Sequence, residues 1–326
     1  MSTLVCGGAG YIGSVTARLL AERGDAVVVL DSLERGHREA VGELPLVVAD
    51  TADAGAVLEA VHRYSVDAVV HFAAYKSVPE SMEHPGRYFS NNVTGSSTLV
   101  DALADAGVER VVFSSSAAVY GTPARVPVAE DAPVAPESVY GETKAMVERI
   151  LAWYDRCRGV RSVSLRYFNA AGAWPDGSLG EDWSVTTNLV PVAMKALLGG
   201  PEASVFGTDY PTRDGTAVRD YIHVVDLAAA HAAALTYLEG GGATTAINLG
   251  TGQGSTVLEV LAAAERAAGR PVPHRLADRR PGDPVAVTAD NRRASELLGW
   301  QPTRDLYETV ASSWAWHSTH PTGFGG

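Results

Sequence analysis

Apolar and polar positions follow two periods in alternation along the first half of the chain. Thr3 to Cys6 form a short β-prone run. From Tyr11 to Arg23, Ile12, Val15, Leu19 and Leu20 fall near helical spacing, and Gly24 stands just past them as a C′ stop. Ala26 to Leu30 reads as a second strand with Asp31 at its end, and Leu46 to Ala49 as a short strand ending at Asp50. Helix Ala54–Tyr64, strand Ala68–Phe72, helix Tyr88–Ala106 closed by Gly107, strand Arg110–Ser114, helix Tyr140–Arg158 and strand Ser162–Arg166 continue the rhythm. Alternating units of this length predict an α/β fold, a doubly wound parallel sheet with ligands at the carboxyl ends of its strands. Asp31, Asp50, Lys76, Ser116 and Tyr167 fall at such ends.

The second half is less regular. Ala173 to Asp182 is rich in Gly, Pro, Asp and Trp and reads as a surface loop or boundary. Helix Thr187–Leu198, strand Ser204–Gly207, a turn over Tyr210–Gly215, the stretch Arg219–His223 before helix Val225–Leu238, strand Ala246–Leu249, helix Val257–Ala268 and a short helix Glu296–Trp300 predict a smaller α/β lobe covering the sheet. The expected division is 1–170 for the sheet domain and 171–326 for the lobe, with segments able to interleave.

Composition excludes some partners. Against 26 basic residues stand 38 acidic ones, a net charge of −12, which disfavours a nucleic-acid-binding face and an anionic membrane surface. Two cysteines, Cys6 in a strand and Cys157 in a helix, make no disulfide framework, so a reducing cytoplasm is expected. The first strand begins almost at Met1, which leaves no room for a signal peptide, and no apolar run reaches the roughly 18 residues of a membrane span. No His/Cys cluster has metal-ligand spacing, and no metal is expected.

The chemistry begins at Gly7-x-x-Gly10-x-x-Gly13, between the first strand and the first helix. Glycines there let the backbone turn and approach a pyrophosphate, whose charge meets the free N–H groups and positive end of the helix. Asp31, about 20 residues past the turn, is where a carboxylate accepts both ribose hydroxyls of an adenosine. It would repel a 2′-phosphate, so NAD is favoured over NADP. This is the signature of a Rossmann domain.

Tyr140 and Lys144 lie four apart at the start of a helix and share a face. A phenol is a poor base at neutral pH, and a lysine cation with a nicotinamide cation nearby would stabilise its phenolate. Tyr140 would then take a hydroxyl proton while hydride leaves the same carbon. Ser116, closing the strand before Ala117-Ala118, offers a hydroxyl to the reacting oxygen.

With these residues in place, the chain resembles the extended short-chain dehydrogenase/reductase superfamily and, within it, the UDP-glucose (UDP-galactose) 4-epimerases. The resemblance runs nearly end to end. It rests on Gly7-Gly-Ala-Gly-Tyr-Ile-Gly13, His71-Phe-Ala-Ala, Asn91-Asn-Val, Phe113-Ser-Ser-Ser-Ala-Ala-Val-Tyr-Gly121, Tyr140-Gly-Glu-Thr-Lys144, Leu165-Arg-Tyr-Phe-Asn169, Asp214-Gly-Thr and Asn248-Leu-Gly. Its most specific parts are Asp209-Tyr-Pro-Thr and Val218-Arg-Asp-Tyr-Ile-His-Val224. It implies that NAD stays bound, that Tyr140 deprotonates the sugar 4-hydroxyl as hydride moves from C4 to the nicotinamide, and that the 4-keto sugar swings over before hydride returns. Ser116 would hold the 4-oxygen, and Lys144 would also contact the nicotinamide ribose.

By the same resemblance, Tyr11 and Ile12 would join the glycine turn at the cofactor. Asp50 and Thr51 would meet adenine, Lys76 the cofactor diphosphate, and Phe72, Ala73, Asn92 and Tyr167 would line the NAD site. The UDP part would meet Asn169, Asn188, Leu189, Phe206, Arg219, Arg280 and Asp283, and two guanidinium groups suit a diphosphate. A homodimer is implied, through helices Tyr88–Ala106 and Tyr140–Arg158. Departures from the family pattern are Cys6 for Thr, Val139 for Pro, the Ala173–Thr187 loop with Trp174, Trp183 and Thr187, and Val287 where many glucose-restricted members carry Tyr. The smaller Val287 leaves room for a bulkier C2 group and raises the expectation of activity on UDP-N-acetylhexosamines. Related dehydratases carry an Asp-Glu pair after the serine strand; Ala117-Ala118 offers no acid there.

Overall fold

The computed structural model describes residues 1–182, 188–280 and 282–325. The first half contains β1 (Ser2–Cys6), α1 (Tyr11–Glu22), β2 (Ala26–Asp31), β3 (Leu46–Val48), α2 (Ala54–Tyr64), β4 (Ala68–His71), α3 (Val78–Glu83), α4 (Pro85–Tyr88), α5 (Gly95–Asp105), β5 (Arg110–Ser116), α6 (Val139–Arg158) and β6 (Arg161–Tyr167). The second contains β7 (Asn169–Ala171), α7 (Leu189–Leu197), β8 (Ala203–Phe206), β9 (Val218–Arg219), β10 (Tyr221–His223), α8 (Val224–Glu239), β11 (Thr245–Leu249), β12 (Ser255–Thr256), α9 (Val257–Ala268), β13 (His274–Ala277), β14 (Ala286–Val287), α10 (Arg292–Leu298) and α11 (Leu306–Thr319).

Seven strands form one parallel sheet in the order β11–β6–β5–β4–β1–β2–β3. Its strands read as nearly unbroken apolar runs, such as Ala-Val-Val-Val-Leu in β2, because both faces are covered. α1 and α8 pack on one face and α2, α5 and α6 on the other. A separate core gathers α7, α9 and α11 with β8 and β10. Helix ends follow local chemistry. Asp53 caps α2, Ser138 caps α6, and Thr256 and Asp305 open α9 and α11 with full capping boxes.

Several elements differ from expectation. The predicted helix Tyr88–Ala106 is α4, a π-helical stretch Phe89–Thr94 and α5 in succession, preceded by α3, which Ser77 caps and Pro79 starts. Strand β7 was not expected; it pairs in parallel with β10. The strand expected in the smaller lobe is β11, which instead extends the large sheet beside β6, and α8 packs under that sheet against α1. Sheet and lobe thus interleave past residue 170. The predicted start of α7 at Thr187, and Trp183, lie outside the described residues; α7 runs from Leu189. Cys6 is buried and Cys157 exposed, and both are free. Among the described residues no helix is long and apolar enough to cross a membrane, and no group of three or more His, Cys, Asp or Glu is placed to hold a metal ion.

Candidate active site

The glycine turn is shaped by close backbone contact. Gly7 has φ +78° and lies under the chain leaving β4: a Cβ there would sit 2.5 Å from the Ala73 nitrogen. A Cβ on Gly13 would sit 2.2 Å from the Gly7 carbonyl oxygen. Gly10 opens α1 with no side-chain cap, and the first turn holds no acid, so its N–H groups are left for an anion. Asp31 is buried at the end of β2 and accepts the Ala9 and Leu33 N–H groups, one per oxygen, each at 2.9 Å. Each oxygen keeps a lone pair for another donor. These features fit a dinucleotide.

Ala73 and Phe72 lie against Gly7, and the other predicted cofactor residues have partners of their own. Phe72 follows β4 with its ring 4.6 Å from that of His231 on α8. The Tyr11 hydroxyl donates to the Gly172 carbonyl at 2.6 Å, and Ile12 packs into the sheet core. Asp50 is exposed and caps the Ala52 N–H at 2.7 Å; Thr51 is buried against Gly95. Lys76 is committed to an ion pair with the buried Glu181, at 2.9 Å. Asn92 is also fully used: it clamps both backbone groups of Tyr75 and donates to Thr143 on α6.

The second group is built on the first turns of α6. Ser138 accepts the Gly141 N–H at 3.1 Å, and the Tyr140 N–H donates to the Ser81 hydroxyl at 3.1 Å. The Tyr140 phenol is near the Ser116 hydroxyl at the end of β5, which acts to lower its pKa. Lys144 is buried; its ammonium donates to the Ser114 carbonyl at 2.7 Å and lies 5.8 Å from the centre of the Tyr140 ring. The Tyr167 hydroxyl is paired with the Ser114 hydroxyl, so Tyr140, Lys144, Ser116 and Tyr167 converge on one strand end.

The electrostatics depart from expectation. Burial pushes the Tyr140 phenol above its ordinary value, and the Ser116 hydroxyl opposes this only in part. Burial likewise pulls Lys144 down to about 7, with Glu148 opposing. The expected lowering of the phenol by the lysine is therefore not a property of the chain by itself. The ammonium is turned to the Ser114 carbonyl, and desolvation of the phenolate wins.

The predicted UDP residues form a third group. Asn169, two residues beyond Tyr167, donates through its side chain to the Asp220 carbonyl at 3.1 Å, beside Arg219. Arg219 is ion-paired with Asp283, and Val287 on β14 pairs in register with Arg219 on β9. Arg280 lies over the Phe206 ring at 3.8 Å. Asn188 is the N-cap residue of α7, and Leu189 begins it. Arg219 and Asp283 thus meet each other, where the sequence reading had each of them meeting UDP.

Sequence reasoning overlooked several groups. Ser81 and Thr143 anchor the start of α6, and Glu181 holds Lys76. Glu148 was signalled only by its spacing, four residues past Lys144. Asp220, inside the most specific motif, is a buried knot whose carboxylate accepts the N–H groups of Thr251, Gly252 and Ala289.

The model of the NAD dependent epimerase/dehydratase family matches residues 3–250. A UDP-glucose 4-epimerase of Lacticaseibacillus casei is 44% identical over 328 aligned residues, covering 100% of this chain and 99% of that protein. The solved structure of UDP-glucose 4-epimerase from Brucella ovis in complex with NAD has a TM-score of 0.94 at 45% identity, covering 96% of this chain and 97% of that one. The Stenotrophomonas maltophila enzyme, solved with bound NAD and formylated UDP-arabinopyranose, has a TM-score of 0.96 at 42% identity, covering 98% of this chain and 99% of that one.

Proposed function

The chain belongs to the NAD-dependent epimerase/dehydratase family, and we infer that it catalyses the NAD-dependent 4-epimerisation of a UDP-hexose, interconverting UDP-galactose and UDP-glucose. One observation carries the reading to this chain's own residues: a phenol beside a serine hydroxyl at the head of α6, with a buried lysine one turn behind it.

Bound NAD would supply a reversible hydride acceptor for sugar C4. The turn Gly7, Gly10, Tyr11, Ile12 and Gly13 would hold its diphosphate and Asp31 its adenosine ribose. Tyr140 takes the proton of the 4-hydroxyl and later gives it back. Ser116 shares a hydrogen bond with that oxygen and with the phenol, which fixes where the proton leaves. Lys144 brings positive charge beneath the phenol, against the upward push of burial. Arg219 and Arg280 hold the UDP diphosphate once their internal contacts are exchanged for it. The run after Ser116 is Ala117-Ala118, which supplies no acid for eliminating water and disfavours a dehydratase.

Incubation of purified protein with UDP-galactose tests the reading: UDP-glucose should accumulate to an equilibrium mixture without net reduction of NAD. Tyr140→Phe should lose about 100- to 10,000-fold in kcat, the range for a positioned acid–base group, while keeping its fold and its bound NAD. Release of NADH in step with product, or wild-type turnover by Tyr140→Phe, would overturn it. Val287, half-buried beside Arg219, supports additional activity on UDP-N-acetylhexosamines, and a coupled assay with UDP-N-acetylglucosamine reads it directly.

A cytoplasmic homodimer completes the proposal. Two free cysteines suit a reducing compartment. Helices α5 and α6 are tied by Tyr154 to Asp101 and Arg158 to Asp105, and α6 presents Trp153 at 60% exposure, which suits a self-association face. Size exclusion with light scattering should give twice the mass of the chain.

A further inference from the structure

Lys144 is under two opposed demands. The reading above requires it as a cation beside the phenol. Its burial favours the neutral amine, and the contacts that favour the cation are uncharged: the Ser114 carbonyl, and the Phe113 ring with its centre 4.8 Å away. Glu148 lies four residues further along α6, on the same face and one turn away. Its carboxylate is held on both oxygens. One accepts the Ser115 hydroxyl at 2.5 Å and Arg166 Nε at 2.9 Å; the other accepts Arg166 Nη2 at 2.5 Å. Arg166 is fixed in turn, donating to the Tyr120 hydroxyl at 2.8 Å, which donates to Asn248 on β11 at 2.7 Å.

We propose that Glu148 is a positioning residue for the epimerisation: its carboxylate, one helical turn behind and locked by Ser115 and Arg166, keeps Lys144 charged beside Tyr140. The inference rests on the 4-epimerase reading and names what sustains its lysine. Three consecutive serines at the end of β5 divide the task. The Ser114 carbonyl takes Lys144, the Ser115 hydroxyl takes Glu148, and the Ser116 hydroxyl lies near Tyr140.

The other groups around the lysine do not supply the charge. From β4, His71 is held neutral, pulled down to about 3 by burial and by Lys144 itself. From β6, Tyr167 is kept protonated by burial, and the Arg166 guanidinium is committed to Glu148. From α6, Tyr140 is pushed up, and Glu148 is the acid that acts on the lysine. A buried Arg–Glu pair is by itself weak evidence for stability, so a task at the active site gives this one a reason.

The test is the pH dependence of kcat on UDP-galactose for wild type, Glu148→Gln, Glu148→Asp and the double variant Glu148→Gln/Arg166→Gln. Lys144 loses its proton as pH rises, and without Glu148 it does so at lower pH. The alkaline limb of the Glu148→Gln profile should therefore move down by about one pH unit, giving roughly tenfold slower turnover on that limb and little loss at acid pH. Glu148→Asp should keep the limb. The double variant leaves no unpaired arginine and should move the limb the same way but by less, since loss of the Arg166 cation offsets part of the loss of Glu148; it covers the case that Glu148→Gln alone does not fold. A second readout is independent of turnover: in protein labelled with 13C at lysine Cε, the Lys144 resonance, assigned by its loss in Lys144→Met, should titrate at lower pH in the variants. A folded variant that slows equally at every pH, or keeps the wild-type limb and midpoint, overturns the proposal. A shifted Lys144 midpoint in a protein that fails to epimerise would uphold the hold of Glu148 on Lys144 and sink the 4-epimerase reading instead.

Discussion

The two regions proposed to hold the ligands are made of different material. At the cofactor turn the backbone does the shaping: Gly7 passes under Ala73, Gly13 crosses the Gly7 carbonyl, and Asp31 is fixed by two amides. At the proposed nucleotide-sugar end, side chains do it, and they are already satisfied by one another. Arg219 holds Asp283, Arg280 lies on Phe206, and Arg279 reaches Asp209. A backbone site is finished when the chain folds. A side-chain site has to exchange internal partners for the ligand, and binding there carries the cost of that reordering. The first region should therefore fail all at once when altered, and the second by degrees.

Gly13→Ala should have the largest effect. Its Cβ would meet the Gly7 carbonyl oxygen at 2.2 Å and Gly8 Cα at 2.9 Å, and backbone cannot rotate away as a side chain can. We expect loss of bound NAD and a destabilisation of about 1–3 kcal/mol, the range for forced overpacking. NAD released on denaturation, counted per chain after gel filtration, and the urea midpoint check this. Full NAD occupancy with an unchanged midpoint would break the contrast at its stronger end.

Arg219→Gln should come next. Loss of one charged hydrogen-bonding group is worth about 1.5–3 kcal/mol, so UDP should bind roughly ten- to a hundredfold more weakly by titration calorimetry. NAD content should not change. Asp283→Asn sharpens the point. If Asp283 serves to park Arg219, UDP binds no more weakly in this variant; weaker binding would mean that Asp283 meets the ligand itself.

The same contrast explains what was legible in the sequence. Glycines at fixed spacing, apolar strands and the cap of α2 are local signals, and α2 runs over the predicted Ala54–Tyr64. Tyr140 and Lys144 were legible because one helical turn relates them. Strands β7, β9, β12 and β14 have two or three residues, too few for an alternating pattern. The π-helical stretch Phe89–Thr94 leaves no periodic signal. The place of β11 beside β6 depends on a partner strand some 80 residues earlier, since Thr245 pairs with Val163. The pairing of Arg219 with Asp283, and the upward push on the phenol, follow from tertiary burial, which spacing does not encode.

The last expected effect is a slope with pH rather than a loss, and it concerns Lys144, which stands between the two regions. Burial pulls it from an ordinary 10.5 down to about 7 in the folded chain. Between those values the unfolded chain binds a proton that the folded chain does not. By linkage, stability from this group rises as pH increases through that window, by at most about 1.4 kcal/mol per pH unit, and is flat below it. Lys144→Met removes the group. The wild-type minus variant difference in unfolding free energy, from urea titrations at pH 6, 7, 8 and 9, should therefore be level between pH 6 and 7 and then turn in favour of the wild type. Met fills the same buried space without a charge, so the offset at low pH reports packing and the slope reports the proton. A difference level across the whole range would mean that Lys144 keeps an ordinary lysine pKa in the folded protein. The lysine would then need no carboxylate to hold its charge, and the contrast between a finished backbone site and a negotiated side-chain site would lose its middle term.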